Sequence, residues 1–155
     1  MDNRVLADPG TPAFQVDKYP FFLLNRLVSR YNVVIEARLK TLGIDIPSWR
    51  VLMILGQESP RGVQDLASAA VIPLSTMTRI VQRMCTAGLV AVKPSKADAR
   101  VTEVTLRAAG RAKLEAAREV TSPVYRGIVG ELGRQDFDKL LWLLNYMHAN
   151  LEGLE

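Results

Sequence analysis

The chain has 155 residues, 48% of them hydrophobic and only 6% aromatic, and a net charge of +4. That length suits one domain, or one domain with helical extensions. Its apolar runs, such as Phe21–Leu24, fall far short of a membrane span. The polar start MDNRVLADPGTPAF lacks the basic and apolar segments of a signal peptide. The single Cys85 allows no intrachain disulfide and fits a reducing, cytoplasmic setting. Charge is unevenly distributed. Residues 1–60 carry seven Lys/Arg and six Asp/Glu, residues 61–113 nine and three, and residues 114–155 four and seven. The basic excess therefore belongs to the middle third, as expected of a surface that meets a polyanion such as DNA.

Residues 1–19 read as a flexible leader. Pro20 then opens a helix, its missing N–H costing nothing in the first turn. Apolar residues recur at helical spacing from Phe21 through Leu24, Leu27, Val28, Tyr31, Ile35 and Leu39 to Leu42, and Gly43 ends the run. Asp45 and Pro47 restart a helix whose apolar side holds Trp49, Leu52, Met53 and Leu55. A break follows from Gly56 to Gly62, then a short helical segment from Val63 to Ala70.

The stretch PLSTMTRIVQRMCTAGLV predicts a helix with two distinct sides. Met77, Ile80, Val81 and Met84 fall on one. The other holds Ser75, Thr76, Thr78, Arg79, Gln82 and Arg83, which supply donors and cations but no acid. Gly88 is a natural C-terminal stop. Leu89–Val92 and Val101–Leu106 read as two strands joined by a loop in KPSKADAR. After Gly110 the chain is expected to be helical again to Glu131, with Pro123 kinking or interrupting it. A last helix begins near Asp136 and carries Phe137, Leu140, Leu141, Leu144, Met147, His148 and Leu151 at steps of three and four.

A short helix, a tight turn and a second helix with a donor-rich face make a helix-turn-helix, and a following β-hairpin makes its winged form. The fold class expected is thus mainly α with a small β-hairpin wing. The polar helix side fits a major groove, where Arg, Gln, Ser and Thr find base-edge partners. Lys93 and Lys96 would meet phosphates, and Arg100 the narrow minor groove. Asp98, two residues earlier, would hold the Arg100 guanidinium in one bidentate orientation. Taken alone, such a helix side could be an ordinary solvated face; the wing behind it favours DNA. No metal-spaced His/Cys cluster, phosphate loop, dinucleotide fingerprint or Gly-x-Ser-x-Gly is present. The expectation is therefore a non-enzyme without cofactor or metal.

On IPSWRVLMIL, STMTRIVQRMCTAGLV and PSKADARVTEVTLRAAGR, with Asp-x-Arg at Asp98 and Arg100 in register between two strands, the chain resembles the MarR family of bacterial transcriptional regulators. The resemblance spans roughly residues 20–152. It implies a single domain over 20–155, with dimerisation helices at 20–43 and 111–155 around a winged helix-turn-helix at 45–110. It also implies a homodimer on a near-palindromic DNA operator, and often a small phenolic or aromatic-acid effector. The effector cleft it implies would be lined by Tyr19, Phe22, Arg26, Trp49, Arg50 and Met53. Aromatic walls and a guanidinium in the implied cleft suit an aromatic acid or its CoA thioester, so a repressor released by such a ligand is expected. Two departures stand out. Leu106-Arg107 replaces the usual Leu-Thr before the helix after the wing, and Pro73 stands where a capping Ser or Asp is common. Cys85 does not match the sensing cysteine of the peroxide-responsive branch. Two rival readings remain at this level: a winged-helix module serving only protein association, and a DNA-binding protein with no effector.

Overall fold

The computed structural model describes residues 2–154. It is mainly helical with a small antiparallel sheet, as the sequence pattern predicts. The chain divides into two compact units, Met1–Thr121 and Ser122–Glu155, so the stretch read as one domain contributes to both. Among the described residues no helix is long and apolar enough to cross a membrane.

In the first unit the leader is not loose throughout. Asp2 accepts from the Arg4 N–H and caps a short helix, α1 (Asn3–Ala7), and Gln15 N–H donates back to the Leu6 carbonyl. A single 3₁₀ turn, Val16–Lys18, leads into α2 (Pro20–Lys40), with Pro20 at its start. Asp45 caps α3 (Ile46–Gln57) by accepting from Ser48 N–H at 2.9 Å. Then come β1 (Arg61–Gly62), α4 (Val63–Ala70), α5 (Leu74–Thr86), β2 (Val90–Pro94), β3 (Thr102–Leu106) and α6 (Ala108–Val129). The sheet order is β1-β3-β2, with Val104 opposite both Arg61 and Val92. β1 has only two residues and no alternating pattern, so nothing in the sequence marked it as a strand.

The core of this unit joins Ile35 and Leu39 of α2, Val51, Leu52 and Leu55 of α3, Leu66 of α4, Met77 and Met84 of α5, Val90 and Val104 of the sheet, and Leu114 and Ala117 of α6. Each is at most 2% exposed, which removes most of its apolar surface from water and supplies the main driving force for folding. Two glycines permit the closest approaches. A Cβ at Gly56 would overlap Leu114 Cδ2, and one at Gly110 would overlap the Leu89 carbonyl oxygen. Gly110 therefore lies inside α6, which starts two residues before it, rather than ahead of the helix. Lys113 Nζ donates to the Leu42 carbonyl at 3.0 Å and ties α6 to the turn that follows α2.

The second unit holds the rest of α6 and α7 (Arg134–Glu152). α6 continues through Pro123 to Val129 without the interruption expected from that residue. The donor that proline removes is one hydrogen bond in a helix of 22 residues. None of α7's residues is buried, and Leu140, Leu141, Trp142 and Leu144 are all at least 36% exposed. The rings of Trp142 and Tyr146 stack at 5.2 Å.

The turn between α4 and α5 holds one strained residue. Val71 has φ +56° and ψ +49°, a left-handed conformation that crowds a β-branched side chain, and it is 86% exposed. Val71→Gly is expected to raise stability by about 1 kcal/mol, because the relieved strain exceeds glycine's extra unfolded-state entropy. Gly110→Ala is expected to lower it by about 2 kcal/mol, because a backbone oxygen blocks the added carbon. Urea denaturation reads both, and a lower midpoint for Val71→Gly would overturn this account of the turn.

Candidate nucleic-acid interface

α5 is amphipathic, and its apolar side decides which residues face outward. Met77, Ile80, Val81 and Met84 are at most 6% exposed. Ser75, Thr76, Thr78, Arg79, Gln82 and Arg83 are consequently all exposed. The helix starts at Pro73 and Leu74 without a side-chain cap. Two hydroxyls of the outward side donate within the helix. Thr78 Oγ1 bonds the Leu74 carbonyl at 2.9 Å, and Thr86 Oγ1 bonds the Gln82 carbonyl at 3.1 Å.

Arg83 differs from its neighbours. Its Nη2 lies 2.6 Å from Asp45 Oδ2 and 3.3 Å from Ser48 Oγ, so its guanidinium ties α5 to the start of α3. Partial burial pushes the Asp45 carboxyl up. The hydrogen bonds from Ser48 and the charge and hydrogen bond of Arg83 outweigh that and hold it below the usual carboxylate range. The pairing was not legible in the sequence, where the partners stand 38 residues apart.

The wing loop is organised by its acid. Asp98 Oδ1 accepts from the Arg100 backbone N–H at 3.0 Å and from Nε at 3.1 Å, while Oδ2 accepts from Nη2 at 3.1 Å. The guanidinium is thus held in a bidentate fork while its side chain stays 90% exposed. Its hydrogen bonds hold the Asp98 carboxyl below the usual range. The Asp98 carbonyl also accepts from Val101 N–H, and the Val101 carbonyl from Ser95 N–H, which closes the loop. Lys93 and Lys96 are exposed. Lys93 stands opposite Glu103 in the ladder, which offsets part of its charge.

A groove of about 540 Å³ runs between α5 and the wing. Thr78, Gln82 and Arg100 line it together, whereas Ser75, Thr76, Arg79, Lys93, Lys96 and Asp98 lie outside it. Sequence reasoning missed Gln64 at the start of α4, Leu74 at the start of α5, and Val92, Val101 and Thr102 of the hairpin, all of which line the groove. Leu74 had a visible signal, since it stands one helical turn before Thr78.

The six residues expected to form an effector cleft are only partly assembled. Arg50 and Met53 line a cleft of about 470 Å³ with Ile54, Ala69, Ala70 and Val71, and Arg50 Nη1 donates to the Ala70 carbonyl at 3.4 Å. Trp49 is 6% exposed and does not line it, because it turns to the core side of α3. Tyr19, Phe22 and Arg26 do not line it either. Tyr19 meets the Phe14 and Phe21 rings edge-on, and the Arg26 guanidinium lies 5.8 Å from the Phe22 ring centre.

Comparison with known proteins agrees with this architecture. The MarR family pattern matches residues 44–102, which contain α3 to the end of the wing loop. The HTH-type transcriptional repressor IacR of Pseudomonas putida is 35% identical over 147 residues, covering 95% of this chain and 88% of that protein. A MarR-family transcriptional regulator from Silicibacter pomeroyi has a similar structure, with a TM-score of 0.80 and 26% identity over 88% of this chain and 92% of that one. The fold is also shared by Bordetella bronchiseptica BpsR, whose DNA binding is regulated by 6-hydroxynicotinic acid; its TM-score is 0.76 and its identity 22%, over 87% of this chain and 96% of that one. A polar recognition helix, a wing with a clamped arginine and a relative of this similarity over nearly its whole length agree: the chain is a DNA-binding transcriptional regulator of the MarR family.

Proposed function

We propose that the protein is a homodimeric repressor that reads a near-palindromic operator and is released by a small aromatic acid or its CoA thioester. The observation that carries the DNA half of this reading is the groove that Thr78 and Gln82 of α5 share with the Asp98-held Arg100. Ser75, Thr76, Arg79 and Gln82 contact base edges and backbone in the major groove. Lys93 and Lys96 neutralise phosphates, and Arg100 enters the adjacent minor groove. Asp98 acts through Arg100 by fixing its orientation. Arg83 serves as a positioning residue, because Asp45 occupies its guanidinium.

Dimerisation is supported by apolar surface left uncovered in each unit. On α2, Phe21, Phe22, Leu27 and Val28 are 40–56% exposed, and α7 exposes Leu140, Leu141 and Leu144. Surface of this kind marks an interface. A two-fold dimer sets its recognition helices about one helical turn of DNA apart.

The effector site is the cleft of Arg50 and Met53, which opens beside the last residues of α4. A ligand carboxylate would draw Arg50 away from the Ala70 carbonyl and loosen the turn that leads into α5. Tyr19, Phe22 and Arg26 on the leader and α2 would meet a bulkier ligand's far end. Such binding changes operator affinity only because it favours one placement of the recognition helices over another. BpsR shows that a small aromatic acid controls DNA binding in a protein of this fold.

In mobility-shift assays on DNA upstream of the protein's own gene, Arg100→Ala should weaken binding by roughly thirty-fold, and Arg79→Ala or Gln82→Ala should also relax base preference. Lys96→Ala should weaken all sequences alike and reduce the salt slope by about 1. Unchanged affinity for Arg100→Ala would overturn the interface. Sedimentation should show a dimer burying over roughly 2,000 Å², and a stable folded monomer at micromolar concentration would contradict it. Among benzoates, hydroxycinnamates and their CoA thioesters, at least one should change tryptophan fluorescence and release the operator, with both effects lost in Arg50→Ala. Release that survives Arg50→Ala together with Met53→Ala would place the effector elsewhere.

A further inference from the structure

The recognition helix begins with an apolar residue where a DNA-reading surface has little evident use for one. Leu74 is the first residue of α5 and is 46% exposed. One turn later stands Thr78, whose hydroxyl proton is committed to the Leu74 carbonyl at 2.9 Å. Thr78 therefore offers a methyl group and an oxygen lone pair, but no free O–H donor. Both residues line the groove that also holds Gln82 and Arg100. The groove carries two further exposed apolar side chains, Val92 at 43% and Val101 at 40%. α5 and the wing carry exposed cations at Arg79, Lys93, Lys96 and Arg100, against the acids Asp98 and Glu103 of the wing and Asp65 of α4. That charge pattern commits the strip to a polyanion rather than to a lipid or an apolar peptide.

Within duplex DNA the major-groove edge offers one apolar group, the 5-methyl of thymine, and the N-terminal residues of a recognition helix are those that reach base edges. We propose that Leu74, with the methyl of Thr78, forms an apolar contact that selects thymine at one position of each operator half-site. The hydrogen-bonding residues of the same face then read its neighbours. This assignment rests on the DNA-binding reading above and adds a base identity to it. A polar side chain at this first helical position would place an acceptor or a charge against the thymine methyl, whereas leucine gains by losing water there. Thr78's back-bond serves the same end, because it turns a potential donor into a methyl-bearing surface.

The experiment isolates the methyl. An operator is selected from a random duplex library with the wild-type protein, and each thymine of a half-site is replaced in turn by deoxyuridine, which lacks only that group. Wild-type protein should bind about four-fold more weakly when uracil occupies the contacted position, the equivalent of one lost methyl contact. Leu74→Ala should bind the thymine operator more weakly and show no further loss with uracil there. Thr78→Ser should reduce the discrimination, and Thr78→Val, which keeps the methyl, should retain it. Arg100→Ala should bind weakly but still discriminate, so a weakened interface cannot mimic the effect. Thermal melting of each variant establishes that it is folded, and Leu74→Met, which keeps an apolar side chain of similar volume, should discriminate as the wild type does. Uracil tolerated at every position by wild-type protein, or discrimination unchanged in Leu74→Ala, overturns the assignment while leaving DNA binding intact. Failure of the library to yield any preferred sequence overturns both.

Discussion

The seating of α5 is the constraint on which the remaining structure depends. Met77, Ile80, Val81 and Met84 are buried along one side of that helix, against a core drawn from α3, α4 and the sheet. Because a helix rotates 100° per residue, burying these four leaves the outward direction of every other side chain determined. Rotating the helix would expose methionine and isoleucine and bury arginine and glutamine without partners, at several kcal/mol. Readout of DNA needs that rigidity, since a base-edge hydrogen bond tolerates little misplacement. The Arg83–Asp45 pair adds a second restraint at the far end of the helix. Its side chains remain 60% and 41% exposed, so its contribution to stability is small and its effect is mostly geometric.

The wing follows the same logic with different means. A hairpin loop has no core to hold its tip, and an unrestrained arginine there would sample many rotamers and lose that freedom on binding. Asp98 restrains it beforehand through three hydrogen bonds, two of them to the guanidinium. On a loop proposed to face DNA, an acid looks unfavourable by charge alone. It is reasonable if the cost of ordering Arg100 is met in the free protein rather than at the operator.

Much of this was legible in the sequence because it depends on periodicity. The apolar spacing of α2, α5 and α7, the β-branched runs around KPSKADAR and the Asp-x-Arg offset are local patterns, and the elements appear where they place them. What was not legible depends on contacts between distant segments. Arg83 reads as another outward cation until Asp45, on a different helix, is seen to occupy it. Trp49 reads more readily as core than as a ligand wall, although the implied cleft includes it, and the packing of α3 makes it core. β1 exists because β3 offers it a ladder, not because Arg61 and Gly62 favour a strand. Pro123 predicts a kink or an interruption, and the helix runs on through it without interruption. Leu74 was overlooked because apolar residues at helix ends are ordinary until the groove around them is known.

The claim at the centre of this account is that the wing's acid contributes to DNA affinity only through its arginine. A double-mutant cycle on Asp98 and Arg100, read as operator affinity at fixed salt, tests it most directly. The account predicts that Asp98→Ala weakens binding despite removing a negative charge, and that Asp98→Ala adds no further loss once Arg100→Ala is present. Tighter binding by Asp98→Ala, or losses that simply add, would contradict it.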